Sequence, residues 1–177
     1  MLPITYVVFF FYTIVILASS NCDANITASQ LKAIMPQCRH LEYLNNINRA
    51  IEEALINSCA RKSAFLAKIA HESGKTQKGD GKKFKGRGPI QLTGRANYKE
   101  AGKALQLDLI NHPEKVKTRE VGFRTSIWFW KKHKLNVLAD KNTLKSFPMI
   151  TKRINGGSRG QVDREKYWTK AKHALGR

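Results

Sequence analysis

The sequence predicts a mostly α domain behind a short apolar leader. Three observations carry that reading. Apolar residues recur at helical spacing through most of the chain after residue 26. No alternating apolar and polar run is long enough for a real sheet. The first twenty residues carry no charged side chain at all. A period near 3.6 marks helices and a period of 2 marks strands, so the pattern selects the class. A chain of 177 residues has room for one domain with a proper core.

The leader is dominated by Val7, Val8, Phe9, Phe10, Phe11, Ile14, Val15, Ile16 and Leu17. It is interrupted by threonine and falls short of the roughly 20 apolar residues that a spanning helix needs. It ends in Ala18-Ser19-Ser20, small residues of the kind that precede a signal cleavage site. No Lys or Arg precedes the apolar run, which leaves an uncleaved anchor as the alternative. The expectation is a secretory signal peptide over 1–20 and a secreted, monomeric domain over 21–177 with no stable membrane insertion.

Helices are expected in order along that domain. Thr27 or Ser29 caps the first, which carries Leu31, Ile34 and Met35 and stops near Pro36. A second covers about 42–57 and a third begins near Ser58, holds Phe65, Leu66, Ile69 and Ala70, and ends at Gly74. Residues 74–88 are rich in glycine and lysine, which is loop chemistry, and Pro89-Ile90-Gln91-Leu92 reads as a short extended piece. Helical patterns resume at roughly 94–105, 118–133, 143–154 and 161–175. Trp128, Phe129 and Trp130 read as core residues rather than a sugar platform.

The formal net charge of +19 falls entirely after the leader. So large an excess attracts polyanions such as anionic bacterial surfaces. Nucleic acid is disfavoured, because no reading motif accompanies the charge. Two phosphate-loop readings also fail. Gly74-Lys75-Thr76 has Ile69 where a P-loop needs glycine, and neither Gly79-Asp80-Gly81 nor Gly86-Arg87-Gly88 carries a third glycine. The cysteines show no metal-ligand spacing, so no metal is expected. Of Cys22, Cys38 and Cys59, the pair Cys38–Cys59 is the expected disulfide, worth about 3 kcal/mol in the chain-entropy model.

Glu72 is the outstanding titratable residue. Phe65, Ile69 and Glu72 fall at i, i+4 and i+7, so the carboxyl shares a helix face with two large apolar side chains. It also sits in the last turn, where the helix dipole disfavours negative charge. Both features favour a protonated carboxyl, which is what cleavage of a glycosidic bond requires. A surface glutamate that merely ends a helix would show the same spacing. Gln91, Thr93, Asn97 and Tyr98 follow the glycine-rich loop and offer amide, hydroxyl and phenol groups suited to sugar hydroxyls and N-acetyl groups, with tyrosine adding a stacking face. Thr93 could instead be a plain helix cap, and Asn155 a plain helix terminator. His71 points about 100° away from Glu72 around the helix and reads as a packing or hydrogen-bonding residue.

Three ordered segments resemble family 19 glycoside hydrolases, the chitinases of that family and related endolysins. They are Ala64-Phe-Leu-Ala-Lys-Ile-Ala-His-Glu-Ser-Gly74, Phe84-Lys-Gly-Arg-Gly-Pro-Ile-Gln-Leu-Thr-Gly-Arg-Ala-Asn-Tyr98 and Arg153-Ile-Asn-Gly-Gly157. The opening 26–36 and the closing Asp163-Arg164 look like the endolysin branch. The resemblance implies a lysozyme-like helical fold with a glycine-rich active-site loop and at most a minimal β element. It implies inverting hydrolysis of β-1,4 links to N-acetylglucosamine, in peptidoglycan or chitin, without a cofactor. Glu72 matches the general acid, Thr93 the hydroxyl that helps hold the attacking water, Gln91, Asn97 and Asn155 the substrate-binding amides, and Arg164 a basic residue near the cleft. An inverting enzyme sets a second carboxylate roughly 6.5–9.5 Å away to activate water. Between Gly74 and Phe84 the sole carboxylate is Asp80, the expected base, with a water held by Thr93 and Asn155 working with Glu72 as the alternative. A catalytically weak, cationic wall-binding protein on the same scaffold is the competing expectation.

Overall fold

The computed structural model describes residues 22, 24–38, 40–72 and 83–176. The expected leader and the expected base, Asp80, lie outside the described residues. Eight helices run through the rest: α1 (Ala28–Ile34), α2 (Leu44–Glu53), α3 (Cys59–Glu72), α4 (Arg95–Leu105), α5 (Arg119–Lys132), α6 (Leu135–Asp140), α7 (Ser146–Asn155) and α8 (Gln161–Ala174). Among the described residues there is no strand, and the β content is one isolated bridge between Arg87 and Leu92. The mostly α expectation holds.

Helix α3 is the central element. Every residue on it except Arg61 is buried, and it packs most extensively against α8. Such a helix carries no solvent face, which explains why its apolar stripe is less sharply defined than that of α2. Phe65 meets Trp130 of α5 edge-on with centroids 5.2 Å apart, and Phe147 of α7 stacks on Trp168 of α8 at 4.6 Å. The first pair joins α5 to α3 and the second joins α7 to α8. Phe129 and Trp130 are core residues as expected, while Trp128 is half-buried.

Local signals account for some boundaries. Thr27 caps α1 in a reciprocal capping box with Gln30, satisfying two N-terminal donors at once. Gly156, at φ +70°, ends α7 in the left-handed conformation that glycine adopts without strain. Helix α6 was not legible in the sequence. It is six residues long, starts after a left-handed Lys134, and is held by Asn136, which accepts from the Trp130 indole at 2.8 Å and donates to the Ala54 carbonyl at 2.9 Å. The extended reading of 89–92 is corrected. Residues 88–91 form a turn that closes the Arg87–Leu92 bridge, with Gln91 donating its backbone N–H to the Gly88 carbonyl at 3.0 Å. Gly88 lies against Gly122 of α5, and a Cβ on Gly88 would come within 3.1 Å of the Gly122 Cα. This glycine contact lets the loop settle on α5.

The expected disulfide is also corrected. Cys59 pairs with Cys22, their Cα atoms 5.0 Å apart, and Cys38 is free. The reason is which segment reaches the start of α3. Lys62, itself buried, donates its Nζ to the carbonyls of Cys22 at 2.5 Å and Ala24 at 2.6 Å. That pins the N-terminal segment beside Cys59, while Cys38 stays in the turn after α1, half-buried.

Candidate active site

The last turn of α3, the end of α7 and the start of α8 meet at Glu72. Its side chain is 2% exposed. Arg164, on the first turn of α8 and equally buried, donates from Nη2 to Glu72 Oε1 and from Nη1 to the Arg159 carbonyl at 2.6 Å. Asn155, the last residue of α7, extends its amide Nδ2 to within 3.4 Å of the same oxygen. Burial beside Phe65 and Ile69 follows from the spacing, as expected. The cation is what spacing could not supply, because Arg164 lies 92 positions away.

The neighbouring His71 holds the site closed from behind. Its ring is buried, and Nδ1 lies 2.5 Å from Asp163 Oδ2, so α8 is pinned to α3 through two consecutive residues on each helix. Gly160 makes this approach possible. A Cβ there would sit 2.6 Å from His71 Cε1, and its φ of +74° suits glycine alone.

A buried lysine adjoins Glu72. Lys68 is 1% exposed, donates to Thr151 Oγ1 of α7, and sits 4.1 Å from the centre of the Phe147 ring. Burial first, and the nearby Arg164 cation second, push its amine down to about 6, against the opposing pull of Glu72 and Glu165. Sequence reading passed over Lys68 and Thr151. One signal was available: Lys68 lies at i−4 from Glu72 and i+3 from Phe65, on the face assigned to the core.

The residues after the glycine-rich loop form a second cluster. Thr93 donates its hydroxyl to the Gln91 carbonyl at 2.8 Å, which leaves the hydroxyl oxygen free to accept. Asn97 braces it, donating Nδ2 to the Thr93 carbonyl at 2.8 Å. Gln91 holds a left-handed backbone, φ +57°, and donates Nε2 to the Gly88 carbonyl, while its buried Oε1 finds no partner among the described residues. The α4 cap is Gly94, not Thr93. Tyr98 departs from expectation. It is fully buried, edge-on to Phe84 at 5.4 Å, and its hydroxyl donates to the Lys85 carbonyl at 2.8 Å while accepting from Arg87 at 2.9 Å. A ring with no exposed face offers no stacking surface to a sugar, so Tyr98 braces the loop instead. Among the described residues no group of His, Cys, Asp and Glu side chains could hold a metal ion.

Comparison with known proteins gives this arrangement its family. The acidic endochitinase of Petunia hybrida is 56% identical over 55 residues, 30% of this chain and 21% of that one. The inactive chitinase-like protein 1 of Hevea brasiliensis is 55% identical over 51 residues, 28% of this chain and 16% of that one. The chain spans about a fifth of the length of several of the plant relatives it matches. The crystal structure of chitinase C from Streptomyces griseus superposes with a TM-score of 0.69 over 85% of this chain and 92% of that one, at 24% identity, and so shares the fold. The family model described as chitinase class I matches residues 18–164. With that match over most of its length, the chain belongs to glycoside hydrolase family 19.

Proposed function

We propose that this chain is a secreted inverting glycoside hydrolase that cleaves β-1,4 links to N-acetylglucosamine, with Glu72 as the general acid. The observation that carries the reading is the buried Glu72 held by Arg164 and Asn155, residues from three helices that share one carboxyl group. In this mechanism Glu72 gives its proton to the leaving glycosidic oxygen. The carboxylate left behind faces the Arg164 guanidinium, a charge-assisted partner already in place when the negative charge develops. Thr93 accepts a hydrogen bond from the attacking water, with its hydroxyl orientation set by the Gln91 carbonyl. Asp80 is the proposed base, and Gln91, Asn97 and Asn155 line the sugar path.

Relatives named endochitinase favour chitin as the polymer. The net charge of +19 favours anionic peptidoglycan, since chitin is neutral and gains nothing from it. The likeness to a relative named inactive supports a second reading, a cationic wall-binding protein on the same scaffold. One comparison separates them: residues 21–177 against the Glu72→Gln variant, on chitooligosaccharides and on peptidoglycan, with products identified by mass spectrometry. Release of glycan fragments by the parent alone supports the hydrolase, and the preferred polymer names the substrate. Binding to walls without cleavage by either protein supports the scaffold reading.

A further inference from the structure

The mechanism proposed for Glu72 leaves the Lys68 amine unused, although it is 1% exposed within the core. Lys68 lies one helical turn before Glu72 on the same face of α3. Its Nζ donates to the Thr151 hydroxyl and rests against the Phe147 ring, both from α7. Among the described residues, the charged groups that act on it are Glu72 from its own helix and Arg164 and Glu165 from α8. An ammonium has three N–H donors, and the described residues offer this one a single hydroxyl oxygen. The charged form is therefore poorly solvated where it stands, and the neutral amine is better satisfied.

We propose that Lys68 is a positioning residue whose charge is coupled to the proton on Glu72, the ammonium favouring the carboxylate and the neutral amine favouring the carboxylic acid. Coupling of this kind is reciprocal: whatever Glu72 does to the lysine, the lysine does to Glu72. With Lys68 neutral, the Arg164 cation and the Asn155 amide remain beside the carboxyl group. With Lys68 charged, two buried cations surround it, and protonation of Glu72 must proceed against both. Below the point where Lys68 takes up its proton, the acid is opposed by its own helix neighbour. The consequence for turnover rests on the reading of Glu72 as the general acid; the coupling itself does not.

The direct test follows the Lys68 side chain by NMR in chain 21–177 labelled at the lysine Cε carbons, with the signal assigned through its loss in Lys68→Arg. Lys68 is expected to titrate several pH units below an ordinary lysine, and its midpoint to fall by about half a unit or more in Glu72→Gln, where the carboxylate is gone. An ordinary midpoint, or the same midpoint in both proteins, overturns the proposal. A second measurement uses the pH dependence of kcat/KM on a neutral chitooligosaccharide. Lys68→Met should move the alkaline limb to higher pH and Lys68→Arg should move it lower. A lysine that serves packing alone would reduce activity in both variants with the limb unmoved, and that result also overturns the proposal. If the parent hydrolyses nothing, the hydrolase reading falls, and the coupling is decided by the NMR midpoints.

Discussion

The Cys22–Cys59 bridge makes a quantitative prediction. The two cysteines are 37 positions apart. In the chain-entropy model a loop of that length removes enough freedom from the unfolded chain to stabilise the fold by about 4 kcal/mol. For a chain of this size each kcal/mol shifts the melting temperature by about 2–4 °C. The double variant Cys22→Ala/Cys59→Ala should therefore melt about 8–16 °C below the parent. Cys38→Ala, which removes a half-buried free thiol, should change it little. Thermal melts followed by circular dichroism at 222 nm, with and without reductant, measure the difference. A non-reducing peptide map reads the linkage itself. The reasoning is refuted if the map links Cys38 to Cys59, or if Cys38→Ala lowers the melting temperature as far as the double variant does.

Other consequences follow from named contacts. Arg164→Met leaves the buried Glu72 without its guanidinium and should cost about 3–5 kcal/mol, measured by urea unfolding at neutral pH. Gly160→Ala places a Cβ against the His71 ring at a positive φ; it should cost at least about 1–2 kcal/mol and reduce hydrolysis by displacing α8. Tyr98→Phe removes one donated and one accepted hydrogen bond and should destabilise by about 1–3 kcal/mol, while the KM for chitooligosaccharides stays unchanged. Burial pushes the Lys68 amine down to about 6 from its ordinary 10.5, so between those values the unfolded chain binds more protons. Stability should then rise with pH across that window by up to about 1.4 kcal/mol per unit, and the slope should flatten in Lys68→Met.

Much of this protein was legible without coordinates. Helical spacing and turn residues located seven of the eight α-helices among the described residues, and α1, α2, α4 and α7 carry a cap or an apolar face that acts locally. The eighth, α6, is short and owes its place to the Asn136 contacts with residues more than eighty positions away at Ala54. The motif around Glu72 placed a carboxyl group on an apolar face, and that burial is what the tertiary structure shows. The burial of Tyr98, in place of its expected sugar-binding role, was not recoverable, since a phenol in a polar segment reads alike whether its ring faces solvent or Phe84. Cysteine pairing was equally beyond the pattern. It depended on which chain segment Lys62 draws to the start of α3. The partners of Glu72 belong to the same class of fact. Local sequence determines helix, cap and buried face through interactions a few residues long. Only the packing of α3 against α8 decides that Arg164 meets Glu72 and that Asp163 meets His71, and only α7 brings Thr151 and Phe147 over the buried Lys68.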